Sequence, residues 1–545
     1  MGRVAPALRG SAVAEERTQA PTAGAGMGRV HRRVILASSL GTLFEWYDFY
    51  LYGALANSFG ALFFPSGNEI AALLASLATF SAGLLVRPLG AVIFGRVGDL
   101  VGRKRTFLIT IVVMGLATAL VGILPTYAQI GIWAPILLVS LRLAQGLALG
   151  GEYGGAATYV AEHAPEDKRA YYTSWIQITG PLGFCLALTL VLVCRVRLGD
   201  EAFNDWGWRI PFLVSVLLLA VSVYIRLKLH ESPLFAELKA QGRLSRAPLV
   251  ESFGEWRNLK LVLLALLGAV SGSAVIAYTS QVYTLLFLQN TLRVDVRLSY
   301  ALMGLTLLIG VTLLVIIGRV SDRIGRKPFI VAGCLLAGLT YIPLFKGVTH
   351  YANPALGEYQ NRAAITVAAR DCHFNLFANP STPCDRARDF LTKAGLSYSK
   401  LPQEGDVEVL TTIAVQQLSG FDEAQYRRAL EISGYPSKAD PQRINKPMLL
   451  LLLVILESYL AISYAPLAAF LVELFPTRIR YSSLSVPYHI GNGWFGGFVP
   501  FIATALAVRA GNIYYGLWYP TIVALGSGLI GLLFIRETRG ADLRR

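Results

Sequence analysis

The sequence predicts an all-α integral membrane protein whose twelve transmembrane helices form two six-helix halves. Three observations carry this prediction: the composition, the long apolar runs and an internal repeat. Of the 545 residues, 54% are hydrophobic and only 15% are charged, and the mean hydropathy is +0.52. A soluble protein would carry about 25% charged residues, and a disordered chain would be less apolar. Nucleic-acid-binding proteins share the net charge of +15 but not this apolar composition, so we expect no nucleic-acid partner.

Twelve apolar runs are long enough to cross a bilayer, which takes about 20 helical residues. They do not alternate between apolar and polar residues, which excludes transmembrane β-strands. Glycine and proline interrupt many of them, as membrane helices tolerate. The predicted spans are 34–58, 70–95, 106–125, 132–161, 171–194, 209–229, 259–289, 299–318, 328–345, 448–473, 482–508 and 513–535.

Lys and Arg are concentrated in the short loops on one side of the predicted bundle, as in 96–105, 226–260 and 319–327. Because cytoplasmic loops carry the positive charge, both termini are predicted to be cytoplasmic. Residues 1–33 have no hydrophobic face and are predicted to be a disordered tail. They contain no short apolar core that ends at a cleavage site, so they do not predict a signal peptide.

Two motifs each occur twice. The first pair is Gly95-Arg-Val-Gly-Asp99-Leu-Val-Gly102-Arg103-Lys104 and Gly318-Arg-Val-Ser-Asp322-Arg-Ile-Gly325-Arg326-Lys327; the second is Glu162-x-x-Pro165-x-x-x-Arg169 and Glu473-x-x-Pro476-x-x-x-Arg480. The copies are 223 residues apart in the first pair and 311 in the second, so the second half has gained 88 residues between its third and fourth spans. Two similar halves that can rock about a central site are the architecture of a transporter.

The repeat divides the chain into two halves, an insertion, a central loop and two tails. The predicted segments are a cytoplasmic tail at 1–33, a first half at 34–230, a cytoplasmic loop at 231–258, a second half at 259–345 and 447–536, an extracytoplasmic insertion at 346–446, and a cytoplasmic tail at 537–545.

The insertion has helical patterns near 384–395 and 421–433. It would form either a cap over the outer mouth or a lobe that binds a partner. Its Cys372 and Cys384 are predicted to lie on the oxidising side of the membrane, where a disulfide between them is possible. The sequence does not decide whether they are bonded.

The repeated motif resembles that of the major facilitator superfamily. Several further stretches are similar to its metabolite:proton symporter family, the bacterial carriers of proline/betaine, α-ketoglutarate, citrate and shikimate. These stretches are Phe44-Glu45-Trp46-Tyr47-Asp48-Phe49, Arg87-Pro88-Leu89-Gly90, Gly150-Gly151-Glu152-Tyr153-Gly154-Gly155, Glu231-Ser-Pro-Leu-Phe235 and Glu473-Leu-Phe-Pro476-Thr-Arg478-Ile-Arg480-Tyr481. The insertion departs from the family pattern.

The resemblance implies a symporter of the bacterial inner membrane that imports a small organic acid or zwitterion by alternating access. Its partners would be the solute and the lipid bilayer, and it would act as a monomer. The proton would be the coupling ion, with no other cofactor. No cluster of residues at metal-ligand spacing predicts a metal site.

Span 1 carries the candidate proton-coupling residues. A charge at the bilayer centre costs about 2.5–3.5 kcal/mol on insertion scales, so charged residues within spans are candidates for function. Glu45 and Asp48 are three residues apart and share one helix face. Two neighbouring carboxylates disfavour joint ionisation, which suits a proton carrier. We hypothesise that Asp48, or otherwise Glu45, carries the coupling proton; the alternative is an ion pair that locks helices.

Two arginines inside the spans are candidate anchors for a substrate carboxylate, because Arg stays charged and offers paired N–H donors. They are Arg142 in span 4, which the resemblance implies is the partner of the span-1 acid, and Arg87 in span 2. Helix locking is the alternative for Arg142, and pairing with the gating loop is the alternative for Arg87. Other substrate-binding candidates are Glu152, Gln281, Tyr488 and Asn492. Glu457 belongs to no motif and either serves the substrate or faces outward.

The repeated loops are predicted to form a cytoplasmic gate. In the resembled superfamily such residues pair across helices and hold the outward-open state; the alternative is that they only set the topology. The candidates are Gly95, Asp99, Gly102, Arg103, Lys104, Glu162, Arg169, Gly318, Asp322, Gly325, Arg326, Lys327, Glu473 and Arg480.

Two other functions are compatible with the sequence. An efflux antiporter or a uniporter of the same superfamily would use the same fold, and a transporter-like sensor or scaffold would use the insertion to bind a partner. The sequence contains no nucleophile triad and no phosphate-binding glycine loop, so we do not expect an enzyme or an ATP-driven pump.

Overall fold

The computed structural model describes residues 29–64, 68–101, 103–227, 248–370, 372, 380–402, 408–477 and 479–543. For residues 29–38, 95–101, 103–105, 107, 226, 248 and 249 it describes the backbone only. The predicted tail at 1–33 therefore lies outside the described residues up to residue 28, and the first helix already begins at Arg29. The predicted loop at 231–258 is described only from Pro248 onward.

Twelve helical spans follow one another in the described residues, which confirms the predicted fold class. Nine of the described helices, or ten if a bent pair counts as one, are long and apolar enough to cross a membrane, and the helices of spans 1 and 3 complete the set. The spans are 1, Arg29–Ala54; 2, Glu69–Leu85 and Arg87–Val101; 3, Arg103–Ile123; 4, Trp133–Gly150 and Tyr153–His163; 5, Arg169–Gln177 and Thr179–Leu198; 6, Arg209–Leu227; 7, Trp256–Thr291; 8, Val296–Ile324; 9, Lys327–Ala352; 10, Lys446–Tyr464 and Leu467–Leu474; 11, Arg480–Ala510; and 12, Trp518–Phe534.

Spans 2 and 4 pack backbone against backbone through glycines. A Cβ atom on Gly146 would lie 1.6 Å from the Gly83 carbonyl oxygen, and one on Gly150 would lie 2.1 Å from the Arg87 carbonyl oxygen. Only glycine fits at these positions, as small residues allow close approach of membrane helices. Span 2 is also interrupted just before Pro88, which has no N–H to donate. These contacts and breaks place Arg87 and Glu152 at irregular points of their spans.

The two halves meet along two seams, span 5 against span 8 and span 2 against span 11. Inside the first half, span 1 packs on span 5 and span 3 on span 6; inside the second, span 9 packs on spans 10 and 12. Below, the end of the bundle that holds 162–169, 322–327, 473–480 and 536–543 is called the termini end. The opposite end, which holds the insertion, is called the insertion end.

The insertion folds as a small α/β unit, and span 9 continues past its predicted end at 345 to Ala352. Four strands, β1 Ile365–Ala369, β2 Ser399–Pro402, β3 Val409–Ile413 and β4 Gln416–Ser419, form one sheet in the order β2-β1-β3-β4. β1 is parallel to β2 and antiparallel to β3, and β3 is antiparallel to β4. Three helices flank the sheet: Pro354–Arg362, Pro383–Lys393 and Glu423–Ile432. The last two coincide with the predicted helical patterns, whereas the sheet was not predicted.

Candidate functional site

The span-1 carboxylates and the span-4 arginine are buried together. Glu45 and Asp48 are each 5% exposed, and Arg142 is 0% exposed. The guanidinium carbon of Arg142 lies 4.5 Å from the ring centroid of Phe49 and 4.5 Å from that of Tyr52. Span 1 thus surrounds Arg142 with aromatic faces, which attract cations.

Asp48 and Arg142 interact electrostatically, and Thr118 of span 3 lies near the Asp48 carboxyl. The Thr118 hydroxyl donates to the Met114 carbonyl at 2.9 Å and accepts a hydrogen bond from Gln145 Nε2 at 2.8 Å. Gln145 Oε1 in turn accepts from Arg142 Nη1 at 2.6 Å. The predicted acid and arginine are therefore neighbours, although these two side chains form no direct ion pair.

Arg87 reaches the centre of the protein from the break in span 2. It is 1% exposed, and its guanidinium carbon lies 5.3 Å from the Trp46 ring centroid. Its charge also acts on three tyrosines of the second half, Tyr278, Tyr464 and Tyr488. Arg87 thus faces across the seam between the halves.

A small cavity of about 30 Å³ lies between the halves, and six aromatic side chains line it. A buried water needs about 10–15 Å³ on this measure, so the cavity has room for about two waters. Three amides, among them the predicted Gln281 and Asn492, complete the polar part of the wall. The aromatic and amide residues that line it are Trp46, Tyr50, Tyr153, Tyr278, Tyr464, Tyr488, Gln177, Gln281 and Asn492. The six aromatic residues of this list are called the aromatic box below.

Hydrogen bonds and stacking hold the aromatic box in shape. The Tyr464 hydroxyl lies 2.9 Å from the Tyr488 hydroxyl and donates to Asn492 Oδ1 at 2.9 Å. The rings of Tyr153 and Tyr488 are parallel, with their centroids 3.4 Å apart. Because Tyr153 belongs to the first half and Tyr488 to the second, the box is assembled only when the halves meet.

Glu457 lies beside the cavity and is 0% exposed. Its Oε1 accepts a hydrogen bond from Gln281 Nε2 at 3.0 Å. A Cβ on Gly310 would lie 2.5 Å from Glu457 Cγ, so that glycine of span 8 makes room for the carboxyl group. Glu457 faces inward, and of the two alternatives stated for it the outward one is wrong.

Glu152 is 1% exposed and lies at the break in span 4, where spans 4 and 11 touch. The Tyr481 hydroxyl donates to the Gly151 carbonyl at 3.0 Å, and a Cβ on Gly154 would lie 2.0 Å from Ser485 Oγ. Glu152, Arg87 and Arg142 are therefore placed around the cavity rather than in its wall.

Arginine–carboxylate pairs close the termini end. Glu473 contacts Arg326 of its own half at 3.1 Å and Arg169 of the other half at 3.7 Å. Arg480 contacts Glu162 of the other half at 3.3 Å. All five side chains are at most 6% exposed. The structure thus brings predicted gate residues of both halves together in two buried groups of ion pairs.

Asp322 of the repeated motif contacts the other half at the same end through main-chain N–H groups rather than through an arginine. Its carboxylate pairs with Arg326 at 2.9 Å and accepts from the backbone N–H groups of Ala170 and Tyr171 at 2.9 and 2.8 Å. A Cβ on Gly318 would lie 3.0 Å from the Ala170 carbonyl oxygen, so the motif glycine permits this contact. Asp322 therefore holds the first turn of span 5 across the seam.

The other seven gate candidates contribute within one half or lie wholly or partly outside the described residues. Lys327 Nζ donates to the Leu532 carbonyl at 2.8 Å, and Gly325 adopts a φ of +131°, which favours glycine. Glu537, which the sequence did not single out, accepts from the backbone N–H of Arg326 at 2.9 Å. Of the first motif copy, Gly102 and the side chains of Asp99, Arg103 and Lys104 lie outside the described residues, and Gly95 is described only as part of a helix.

In the insertion, the structure joins Cys372 and Cys384 by a disulfide, with their Cα atoms 5.4 Å apart. Cys384 is the second residue of the helix Pro383–Lys393, so the bond ties the segment after β1 to that helix.

Comparisons with known proteins agree with this architecture. Residues 34–349 match the model of the Major Facilitator Superfamily. The proline/betaine transporter of Salmonella typhimurium is 38% identical over 326 residues, 58% of this chain and 64% of that protein. The glycine betaine/proline/ectoine/pipecolic acid transporter OusA of Dickeya dadantii is 30% identical over 525 residues, 94% of this chain and 85% of that protein. The match thus spans less than two thirds of the first relative but most of the second.

Two further similarities concern another solute class and the fold. The alpha-ketoglutarate permease of Escherichia coli is 35% identical over 322 residues, 59% of this chain and 72% of that protein. The structure of the proton:xylose symporter XylE superposes with a TM-score of 0.63 at 16% identity, covering 94% of this chain and 98% of that one. The relatives are metabolite transporters and not enzymes, and the resemblance found in the motifs is confirmed: this chain belongs to the major facilitator superfamily.

Proposed function

We propose that the protein is a proton-coupled symporter that imports a small zwitterion of the betaine or proline type across the bacterial inner membrane. The observation that carries this proposal is the aromatic box at the seam between the halves, with Arg87 over one of its rings. Both termini and the termini end would face the cytoplasm, and the protein would act as a monomer with the proton as its coupling ion.

The aromatic box favours a ligand with a cationic end. Ring faces carry a negative quadrupole, and sets of aromatic faces are the usual site for quaternary ammonium groups. Trp46 stacks on Tyr50 at 5.3 Å between centroids, and Tyr50 on Phe184 at 4.8 Å, so these faces are fixed in place. A carboxylate on the same small ligand would meet Arg87, which can donate two parallel hydrogen bonds. A dicarboxylate would instead place one negative end against ring faces.

The central cavity must enlarge before it can hold such a solute, since about 30 Å³ accommodates only about two waters. Because residues of both halves form the aromatic box, rocking of the halves would open and close it. This is the behaviour that alternating access requires. The names of two relatives, which include proline, betaine and ectoine, support the same solute class.

Asp48 is the proposed proton carrier. It is buried, lies next to Arg142 without a direct ion pair and lies near Thr118, which accepts from the Gln145 side chain that binds Arg142. Loss of its charge would therefore change the surroundings of Arg142, which links protonation to the spans that move. Glu45, one helical turn away, is the alternative carrier.

The test is uptake by purified protein in proteoliposomes under an imposed proton gradient, acidic outside. We expect glycine betaine and proline to accumulate above equilibrium and α-ketoglutarate to accumulate at least tenfold less. In the Asp48→Asn variant, exchange of labelled for unlabelled solute should persist while gradient-driven accumulation disappears, because the carrier of the proton is gone. Asp167→Asn, an exposed carboxylate next to the gate, is the matched control and should leave accumulation unchanged.

Each other result contradicts a stated part of the proposal. Preferred accumulation of α-ketoglutarate would overturn the zwitterion selectivity. Full coupling in Asp48→Asn would assign the proton to Glu45 or elsewhere. Flux that ignores the gradient, or that runs outward with protons moving inward, would indicate a uniporter or an antiporter. Binding without any flux would indicate a sensor.

A further inference from the structure

A second and much larger cavity lies at the insertion end. Its volume is about 670 Å³, within the range of about 300–1,000 Å³ that small-molecule sites occupy. The first half contributes Asn57 and Glu69 to its wall, the second half contributes Arg293 and Phe287, and the insertion contributes Lys393. A segment that departs from the family pattern thus forms part of the cavity.

The insertion is fixed to the second half by main-chain contacts. The Tyr398 N–H donates to the Gly511 carbonyl at 2.8 Å, and the Ala439 N–H donates to the Arg293 carbonyl at 3.2 Å. Gly395 has a φ of +68°, and a Cβ on it would lie 2.4 Å from the Thr291 carbonyl oxygen, so the contact requires glycine. The wall that the insertion supplies therefore belongs to the second half.

One hydrogen bond connects the insertion to the first half across the cavity. Asn68, the N-cap residue of span 2, accepts from the Ile70 N–H at 2.8 Å and donates from Nδ2 to Asp389 Oδ1 at 2.9 Å. Asp389 also pairs with Lys393 at 2.9 Å, which balances the charge of that lysine. The insertion thus spans the mouth from one half to the other.

Arg293 is a cation in the cavity wall. No carboxylate among the described residues lies within ion-pair distance of its guanidinium group. Its Nη2 donates to the Lys393 main-chain carbonyl, and its Nε is buried with no hydrogen-bond partner among the described residues. In the described part of the chain it is one of two non-glycine residues with a positive φ, which is +56° here. Such backbone conformations are uncommon and are often found at functional sites.

We propose that the 670 Å³ cavity is a second solute site, in which Arg293 binds the carboxylate of the transported zwitterion before it reaches the aromatic box. This inference rests on the proposed function. The ring of Phe287 and the carboxylate of Glu69 line the same cavity and suit the cationic end. The central cavity of about 30 Å³ is too small for the solute in this conformation, whereas the outer one is not.

The experiment is equilibrium binding of radiolabelled glycine betaine to the full-length purified protein, with the number of molecules bound at saturation as the readout. We expect two per wild-type protein and one per Arg293→Gln protein over the same concentration range. Loss of a charged hydrogen-bond donor should weaken the outer site about tenfold or more. Arg293→Lys keeps the charge and should bring back the second molecule.

A matched control is Arg443→Gln, which removes an arginine of the insertion that pairs with Glu358 at 3.1 Å on the exposed surface. It should still bind two molecules. A variant in the central site, Trp46→Leu, should bind one molecule. The double variant Trp46→Leu/Arg293→Gln should bind none. All variants are compared at equal thermal stability, so that a count of one in Arg293→Gln does not reflect unfolding.

A count of one in the wild type, or of two in Arg293→Gln, would overturn the outer site while leaving the proposed function intact. No binding to the wild type would overturn both, because the solute class itself would then be wrong.

Discussion

At the termini end, arginine–carboxylate pairs that cross between the halves are buried, with Glu473 and Arg169 at 0% and 3% exposure of their side chains. At the insertion end the same kind of pair is exposed. There Arg297 of the second half contacts Asp200 of the first at 2.8 Å, with 45% and 53% exposure. The neighbouring contact, between Asn57 and Asn290, joins two neutral amides.

The free energy that each ion pair contributes depends on whether the pair is buried. Breaking a buried pair by removing one partner costs about 3–5 kcal/mol, because a charge is left without solvation. An exposed pair contributes about 0.2–1 kcal/mol, and salt screens it. The halves are therefore held firmly at the termini end and weakly at the insertion end, where the 670 Å³ cavity lies. We infer that this conformation is the outward-facing one, if the termini are cytoplasmic as proposed.

The largest effect is expected for Glu473→Gln. The change leaves the buried Arg169 without the carboxylate that it meets across the seam, whereas Arg326 keeps Asp322 at 2.9 Å. The lost carboxylate also accepts from the Thr538 hydroxyl at 2.9 Å. The closed state of the termini end should be destabilised by about 3–5 kcal/mol relative to the open state. This equals a shift of about 100-fold or more in the equilibrium between the two states. The measurement is maleimide labelling of a Ser485→Cys reporter, at a contact between spans 4 and 11.

A second cysteine reporter, placed at the insertion end, tests whether that end closes when the termini end opens. Ala61→Cys lines the 670 Å³ cavity and should label more slowly in Glu473→Gln, because opening one end closes the other. The control is Glu166→Gln, which removes an 82% exposed partner of the same Arg169 at 3.6 Å. Equal labelling rates in Glu473→Gln and Glu166→Gln would contradict the role that burial has here.

The sequence singled out residues that meet at the termini end because they occur at fixed spacing in repeated motifs. Asp322, Arg326, Glu473 and Arg480 occur in two duplicated motifs, and the structure places all four in buried ion pairs at this end. Glu537 was missed because it lies outside those motifs and acts through main-chain N–H groups, which leave no pattern in side-chain types.

The centre and the insertion were predicted less completely. Trp46 and Tyr50 were not identified as cavity residues, because a single run of residues does not indicate which rings from other spans will meet them. The sheet was missed because its strands have only four or five residues, and β4, Gln416–Ser419, is almost entirely polar. Strands this short have too few positions to display an alternating pattern.

An intermediate effect is expected for Arg297→Gln. The exposed pair with Asp200 is lost, but Asp200 keeps Arg195 at 2.9 Å, so no charge is stranded. Labelling of Ala61→Cys should rise by about fivefold at most, equal to about 1 kcal/mol. The effect should vanish at 1 M salt, where the screening length is about 3 Å. An increase of 100-fold, or one that salt does not change, would show that the two ends are held alike.

The smallest effect is expected for Asn290→Ala. Asn290 and Asn57 exchange two hydrogen bonds, at 2.9 and 3.0 Å, on an exposed part of the seam. Water can replace both hydrogen bonds, so the contact should lose only about 0.5 kcal/mol, near the lower end of the range for hydrogen bonds in proteins. Labelling of Ala61→Cys should then rise about twofold.

The double variant with Asn57→Ala tests whether this pair acts as a unit. Since each amide bonds mainly to the other, removing both should cost about as much as removing either, and the interaction energy of the cycle should equal the single effect with opposite sign. Gln289→Ala, which removes a 3.4 Å acceptor of Asn57 and leaves the Asn57–Asn290 pair intact, is the control and should label like the wild type. Additive effects of the two asparagine changes would mean that each side chain holds the insertion end through a different neighbour, and the weak seam inferred from this pair would then have to be sought elsewhere.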